Sequence, residues 1–195
     1  MNKGRIIVLS GPSGVGKTTI CKSILDRRPD IRYSISATSR QRRKDEVDGR
    51  EYIFITEEQF RRWVDEGRFV EYAEVHGNLY GTPRTELEDK LNQGYNVLMD
   101  IDVQGAKRMM SLYPDGIYIF IIPPDISELQ RRLLKRKTEQ DETIRHRLAN
   151  AQKELRYKND FNYVIENREL EKTIQEVMKI IEDELGPVPK EHQGD

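Results

Sequence analysis

Apolar and polar positions along the chain follow two alternating periods. Short apolar runs suited to buried strands occur at Ile6-Ile7-Val8-Leu9, at Tyr95-Asn96-Val97-Leu98-Met99-Asp100, over 116–122 and at Tyr163-Val164-Ile165. Between them, apolar residues recur at helical spacing: Ile20, Ile24 and Leu25 first, then 83–93, opened by Thr82-Pro83 and stopped by Gly94. The same spacing predicts helices over 103–112, 126–136, 144–156 and 170–185, with a polar break at 137–143. Strands and helices in alternation predict an α/β fold, a parallel sheet covered by helices on both faces. Residues 31–82 depart from this rhythm. They read as a strand over 31–37, a charged stretch over 38–50 turning at Asp48-Gly49, and a strand at Tyr52-Ile53-Phe54-Ile55. A helix follows, opened by the capping signature Thr56-Glu57-Glu58-Gln59, then short strands at 69–75 and 79–80. The expectation is a small strand-rich insert at 31–82 within a core of 1–30, 83–131 and 157–186, with 187–195 a frayed tail.

The first strand and helix enclose Gly11-Pro12-Ser13-Gly14-Val15-Gly16-Lys17-Thr18, which matches G-x-x-x-x-G-K-[ST], the phosphate-binding loop. Glycines let such a loop turn its backbone N–H groups inward onto phosphate oxygens, and the positive end of the following helix adds to that field. Lys17 is expected on the β and γ phosphates of ATP, with the Thr18 hydroxyl on Mg²⁺ and Thr19 beside it. The motif places the fold among phosphate-loop nucleotide enzymes without naming a reaction. The N-K-x-D stretch of a guanine-reading GTPase does not occur in the sequence.

Charge is balanced, with 33 Lys and Arg against 34 Asp and Glu, a net of −1. No overall field favours nucleic acid or a membrane surface, so neither partner is expected. A single cysteine, Cys21, excludes a disulfide within the chain, and His76, His146 and His192 are too scattered for a zinc site. No apolar run approaches the ~20 residues of a membrane span, and no secretory segment precedes the first strand. A soluble cytoplasmic protein is expected, with monomer and homodimer both open.

The discriminating material follows the first helix: Thr38-Ser39-Arg40, Arg43, Glu46, Gly49, Tyr52 and Phe54. To these are added Phe69-Val70-Glu71-Tyr72, Tyr80-Gly81-Thr82, Asp100-Ile101-Asp102-Val103-Gln104-Gly105 and Arg147-Leu148-x-x-Ala151. In this combination the chain resembles the guanylate kinases, which transfer the γ-phosphoryl of MgATP to GMP, along nearly its whole length. The resemblance implies that Arg40, Arg43, Tyr52 and Tyr80 clamp the GMP phosphate. Forked guanidinium donors suit that dianion. It implies that Glu71 and Asp102 accept the adjacent N1–H and N2–H₂ donors of guanine, with Ser36 and Thr82 near O6. Asp100 is implied to hold Mg²⁺ through water or to position GMP. A helical lid is implied over about 132–156, carrying Arg136 and Arg147 to the transferred phosphoryl group, and Asn167 is implied beside adenine. Arg131, Arg132, Lys135 and Lys137 read as a solvated helix face.

Three positions depart from the family pattern: Arg42 for a proline, Asp45 for a glycine and Lys137 for a glycine. The first two bear on the phosphate clamp, the third on the lid. Two rival functions share the fold. A related kinase of a sugar bisphosphate has no use for carboxylates paired on guanine. A guanylate-kinase-like phosphopeptide-binding module typically lacks the intact Gly16-Lys17-Thr18.

Overall fold

The computed structural model describes residues 3–75, 77–135 and 141–189. Its larger sheet has five parallel strands, β1 (Ile6–Ser10), β2 (Ile31–Tyr33), β7 (Asn96–Asp100), β8 (Ile117–Ile122) and β9 (Tyr163–Glu166), in the order β2-β7-β1-β8-β9. The apolar run of β1 is explained by its central place. Ile7 and Leu9 face one side of the sheet, where they meet Ile20 and Ile24 of α1 (Lys17–Arg27) and Ile174, Val177 and Ile181 of α7 (Leu170–Leu185). Ile6 and Val8 face the other, against Leu87 and Leu91 of α3 (Arg84–Asn92) and Val103, Ala106 and Met109 of α4 (Val103–Leu112). Successive side chains alternate faces, so a strand buried on both sides has no polar position to spare. The direction of the connections switches between the parallel strands β1 and β7, since α1 leads to β2 at one edge and α4 leads to β8 on the other side. In open parallel sheets ligands occupy the crevice at the carboxyl ends of such a strand pair.

A second sheet has the order β4-β3-β6-β5, from β3 (Ala37–Thr38), β4 (Ile53–Phe54), β5 (Phe69–Val75) and β6 (Asn78–Pro83). Its core is aromatic. Phe60 of α2 (Glu57–Asp65) stacks on Phe69 at 4.5 Å between ring centres, with Trp63, Ile53, Ile55 and Leu79 around them. Thr56 caps α2 by accepting from the Gln59 amide at 3.1 Å, as the sequence predicts.

The strand expected over 31–37 is two strands. Residues 31–33 pair with β7 in the large sheet, whereas 37–38 pair with β4 and β6 in the small one. The insert therefore begins after Tyr33, not at 31. Between the two strands, Glu86 of α3 accepts from the Ser34 hydroxyl at 3.2 Å and the Ile35 amide at 3.3 Å. Lys90, one turn along α3, pairs with Glu86 and donates to the Tyr33 carbonyl at 2.7 Å. Alternation reports which way a side chain faces but not which sheet it faces from, so the change of partner leaves no trace in the pattern.

Helices α5 (Ile126–Lys135) and α6 (Asp141–Leu155) pack on each other through Leu129, Leu133, Ile144 and Ala151. Among the described residues no helix is long and apolar enough to cross a membrane.

One buried ion pair closes the core at the end of α1. Arg28 and Asp30, 3% and 4% exposed, share two bonds of 2.7 and 2.6 Å, and Arg28 also donates to the Gly186 carbonyl. Burial raises the Asp30 pKa, but the bond and charge of Arg28 outweigh it and hold the carboxyl below its ordinary value. Asp30→Ala leaves a guanidinium buried without its partner and should cost about 3–5 kcal/mol in equilibrium denaturation. A carboxyl with a lowered folded pKa stabilises above its unfolded pKa and loses that contribution as pH falls through the folded value. The gap between wild type and Asp30→Ala should therefore narrow in strong acid.

Candidate active site

The loop between β1 and α1 is shaped by close approaches that only glycine allows. Gly11, Gly14 and Gly16 have φ of 135°, 88° and 108°. A Cβ on Gly11 would lie 2.2 Å from the Ile121 carbonyl oxygen, and one on Gly16 would lie 2.7 Å from Nδ2 of Asn167. That amide group donates to the Val15 carbonyl at 2.7 Å, while its oxygen accepts from Thr173 at 3.1 Å. Lys17 folds back over the loop, donating to the Gly11 carbonyl at 2.6 Å and lying 3.8 Å from Asp100 at the end of β7.

From this loop a cleft runs to the small sheet. Gly11, Ser13, Gly14, Gly16, Lys17, Thr18 and Thr19 line its floor. Asp100, Ile101 and Asp102 enter from the end of β7, and Arg147 and Glu154 from α6. Ser36, Arg40, Arg43, Tyr52, Glu71 and Tyr80 come from the insert, with Ala73 and Val75 beside them. Residues far apart in sequence thus share one cavity with the phosphate loop. Pro12 and Val15 belong to the loop without lining the cavity, and Val15 is fully buried. Arg136 and Lys137 lie outside the described residues.

On the insert side the cations are held by an acid. Arg40 donates to Oε1 of Glu46 at 2.7 Å, and the Arg43 amide donates to Oε2 at 2.8 Å. Burial pushes the Glu46 carboxyl up, but Arg40 and the Arg43 amide more than reverse this. The Arg40 guanidinium also lies over the rings of Tyr52 and Phe54 at 5.4 and 5.6 Å, and the Tyr52 and Tyr80 rings meet edge to face at 5.8 Å. Arg43 remains largely exposed, its guanidinium only 3.9 Å from Glu46. Arg42 donates to the Glu46 carbonyl at 3.0 Å from outside the turn, and Asp45 is exposed. Glu46 holds the clamp in shape, a role the sequence motif contains but does not spell out.

Opposite lies an acidic corner. Glu71, 3% exposed, accepts from the Thr82 hydroxyl at 2.6 Å. Burial drives its pKa up; Thr82 offsets part of that rise, nearby Asp102 adds to it, and the result is about 7. Thr82 is fully buried and reaches the cleft only through Glu71. Asp102 caps α4, its Oδ1 accepting from the Gly105 amide at 3.0 Å. Gly105 is required there, because a Cβ would lie 2.5 Å from Oε2 of Glu71. Asp100 is raised by burial and partly relieved by Lys17.

The arrangement presents amides and cations to phosphate groups at two places, with acids beyond one of them to receive adjacent N–H donors. The family model described as guanylate kinase matches residues 3–184. The chain belongs to the guanylate kinase family. A guanylate kinase of Clostridium perfringens strain 13 is 44% identical over 92% of this chain and 83% of its own length. One of Rubrobacter xylanophilus is 43% identical over 93% and 95%. The crystal structure of guanylate kinase from Anaplasma phagocytophilum superposes with a TM-score of 0.77 at 35% identity, over 94% of this chain and 87% of that one.

Two residues have protein partners that the sequence reading does not assign to them. Asn167, expected beside adenine, is 3% exposed, and both ends of its carboxamide bond to the protein around the phosphate loop. Arg132, expected on a solvated face, pairs with Glu128 at 2.7 Å and donates to the Asn167 carbonyl at 2.9 Å. The sequence contains no signal for the bonds from Arg132 to Asn167 and from Asn167 to Val15, since each joins separate elements. Asn167→Ala strips the Val15 carbonyl of its side-chain partner and leaves the Thr173 hydroxyl only the carbonyls of Glu166 and Glu169, and should cost about 1–3 kcal/mol in thermal or urea denaturation. An unchanged midpoint would show that the carboxamide does not brace the loop.

Proposed function

We infer that this guanylate kinase transfers the γ-phosphoryl group of ATP to GMP, yielding ADP and GDP, and accepts dGMP in the same site. The observation that carries the reading is Glu71, a buried carboxylate beside Asp102 in the cleft shared with the phosphate loop. Guanine offers N1–H and N2–H₂ side by side, whereas adenine places an acceptor at N1. A site left with unmatched buried polar groups discriminates strongly. A sugar bisphosphate has no pair of adjacent N–H donors for these acids to receive. The intact loop with Lys17 speaks for phosphoryl transfer over phosphopeptide binding.

In this reading Arg40, Arg43, Tyr52 and Tyr80 hold the GMP phosphate, Ser36 lies near guanine O6 and Thr82 acts through Glu71. Loop amides from Gly11 to Thr19 cradle the ATP phosphates. Lys17 and Arg147, with Arg136, stabilise the charge that spreads over the transferred phosphoryl. A GMP phosphate oxygen attacks in line, so no covalent intermediate with the protein is needed. Magnesium fits the residues present. Among the described residues no cluster of three His, Cys, Asp or Glu forms a closed metal cage. Thr18 and, through water, the desolvated Asp100 would supply the protein's share of a shell that Mg²⁺ otherwise fills with phosphate and water. When bound, it neutralises charge on the β and γ phosphates. The place of action is the cytoplasm and the role purine nucleotide metabolism.

The direct test is ADP release from MgATP with GMP, dGMP, AMP, CMP, UMP and ribose 1,5-bisphosphate. Turnover is expected with the two guanine nucleotides alone, and turnover with only the sugar phosphate would overturn the assignment. Arg40→Ala should raise the KM for GMP about 10- to 100-fold, the worth of a charge-assisted bond, with little change in the KM for ATP. Glu71 must be ionised to accept both guanine donors, and its raised pKa of about 7 means that neutral solution leaves it partly protonated. GMP affinity, followed by calorimetry, should therefore strengthen as pH rises from 6 to 8, and Glu71→Gln should remove the Glu71 part of that slope.

A further inference from the structure

One carboxylate in the cleft has no task in the chemistry above. Glu154 follows Arg147 by two turns of α6, so both project from one side of that helix, with Ala151 between them buried against α5. Burial pushes the Glu154 carboxyl up to about 7, against the lowering charge of Lys17 and with the raising charge of Asp102. Among the described residues no hydrogen bond or ion pair engages it. A half-buried acid that opens into ligand space without a donor of its own is completed by a donor on the ligand.

The available donors are few. Phosphate oxygens on either nucleotide are anionic acceptors, which Glu154 repels. The guanine N–H groups face Glu71 and Asp102. Sugar hydroxyls remain. The ribose of GMP joins base to phosphate, and so spans the gap between the acidic corner and the arginine clamp. Glu154 lines the cleft that holds both groups, near enough to Lys17 and Asp102 for both charges to act on its carboxyl.

We propose that the Glu154 carboxylate accepts a hydrogen bond from a ribose hydroxyl of GMP, so that α6 reads the sugar of the acceptor. The role rests on the GMP reading above and adds a specificity contact to it. It places a ligand contact on the same helix as Arg147, so that seating the correct sugar helps to set the helix that stabilises the transferred group.

The test compares kcat/KM of wild type, Glu154→Gln and Glu154→Ala with GMP, 2′-deoxy-GMP and 3′-deoxy-GMP at saturating MgATP. Wild type should lose about 10- to 100-fold on whichever analogue lacks the bonded hydroxyl. Glu154→Ala should lose a similar factor on GMP and almost nothing further on that analogue, identifying the hydroxyl. Calorimetric GMP binding without ATP or metal should weaken by the same factor. Equal losses on all three acceptors overturn the proposal. So does unchanged GMP binding with a shifted magnesium dependence, which would give Glu154 to the metal's water shell. Wild-type turnover of GMP keeps the parent reading intact in either case, whereas a wild type inactive on GMP removes both.

Discussion

Backbone amides can hold a polyphosphate only if they already point inward when it arrives, and much of this molecule keeps them so. The twofold burial of β1 fixes where the chain must turn. Ile121 presses on Gly11 from the next strand, and Asn167 ties the Val15 carbonyl from beyond β9. Asn167 is itself held by Thr173 of α7 and Arg132 of α5. An ordered loop has little entropy left to lose on binding, and its dipoles do not reorganise during the reaction. The loop's stability thus comes from four separate elements, none of which meets the ligand through the bracing groups.

Much of the architecture was legible because it is written locally. A strand, a glycine loop and a helix in succession announce themselves within a short window, and both faces of β1, β7 and β8 had to be apolar for the pattern to appear at all. The bracing of the loop was not legible, since the worth of Asn167 depends on Val15 being brought to it by folding. Glu154 was missed for a similar reason. On a charged amphipathic helix an acid looks solvated until the cleft is seen in front of it. The break after Tyr33 was hidden because both strands continue the same alternation. Motif spacing singled out Arg40 and Arg43, but it took the fold to show that Glu46 holds them.

Placing acids around a site for anions is costly, and three of those present here have distinct surroundings. Glu46 is neutralised by Arg40 and stays ionised, serving the clamp. Asp100 sees Lys17 across 3.8 Å. Glu71 has the Thr82 hydroxyl and the charge of Arg108, which offset only part of the rise that burial causes. Similar side chains thus acquire separate roles from environment alone.

The small sheet joins the rest of the molecule at two points, and both are fastened to the same helix. Glu86 secures the incoming segment at Ser34 and Ile35, and Arg84 secures the outgoing one through the carbonyls of Gly67 and Phe69. Helix α3 thus holds both chain crossings, while Val70 and Glu71 of β5 lie against α4. Between those crossings the small sheet can change its sequence without altering the register of β1 on β7.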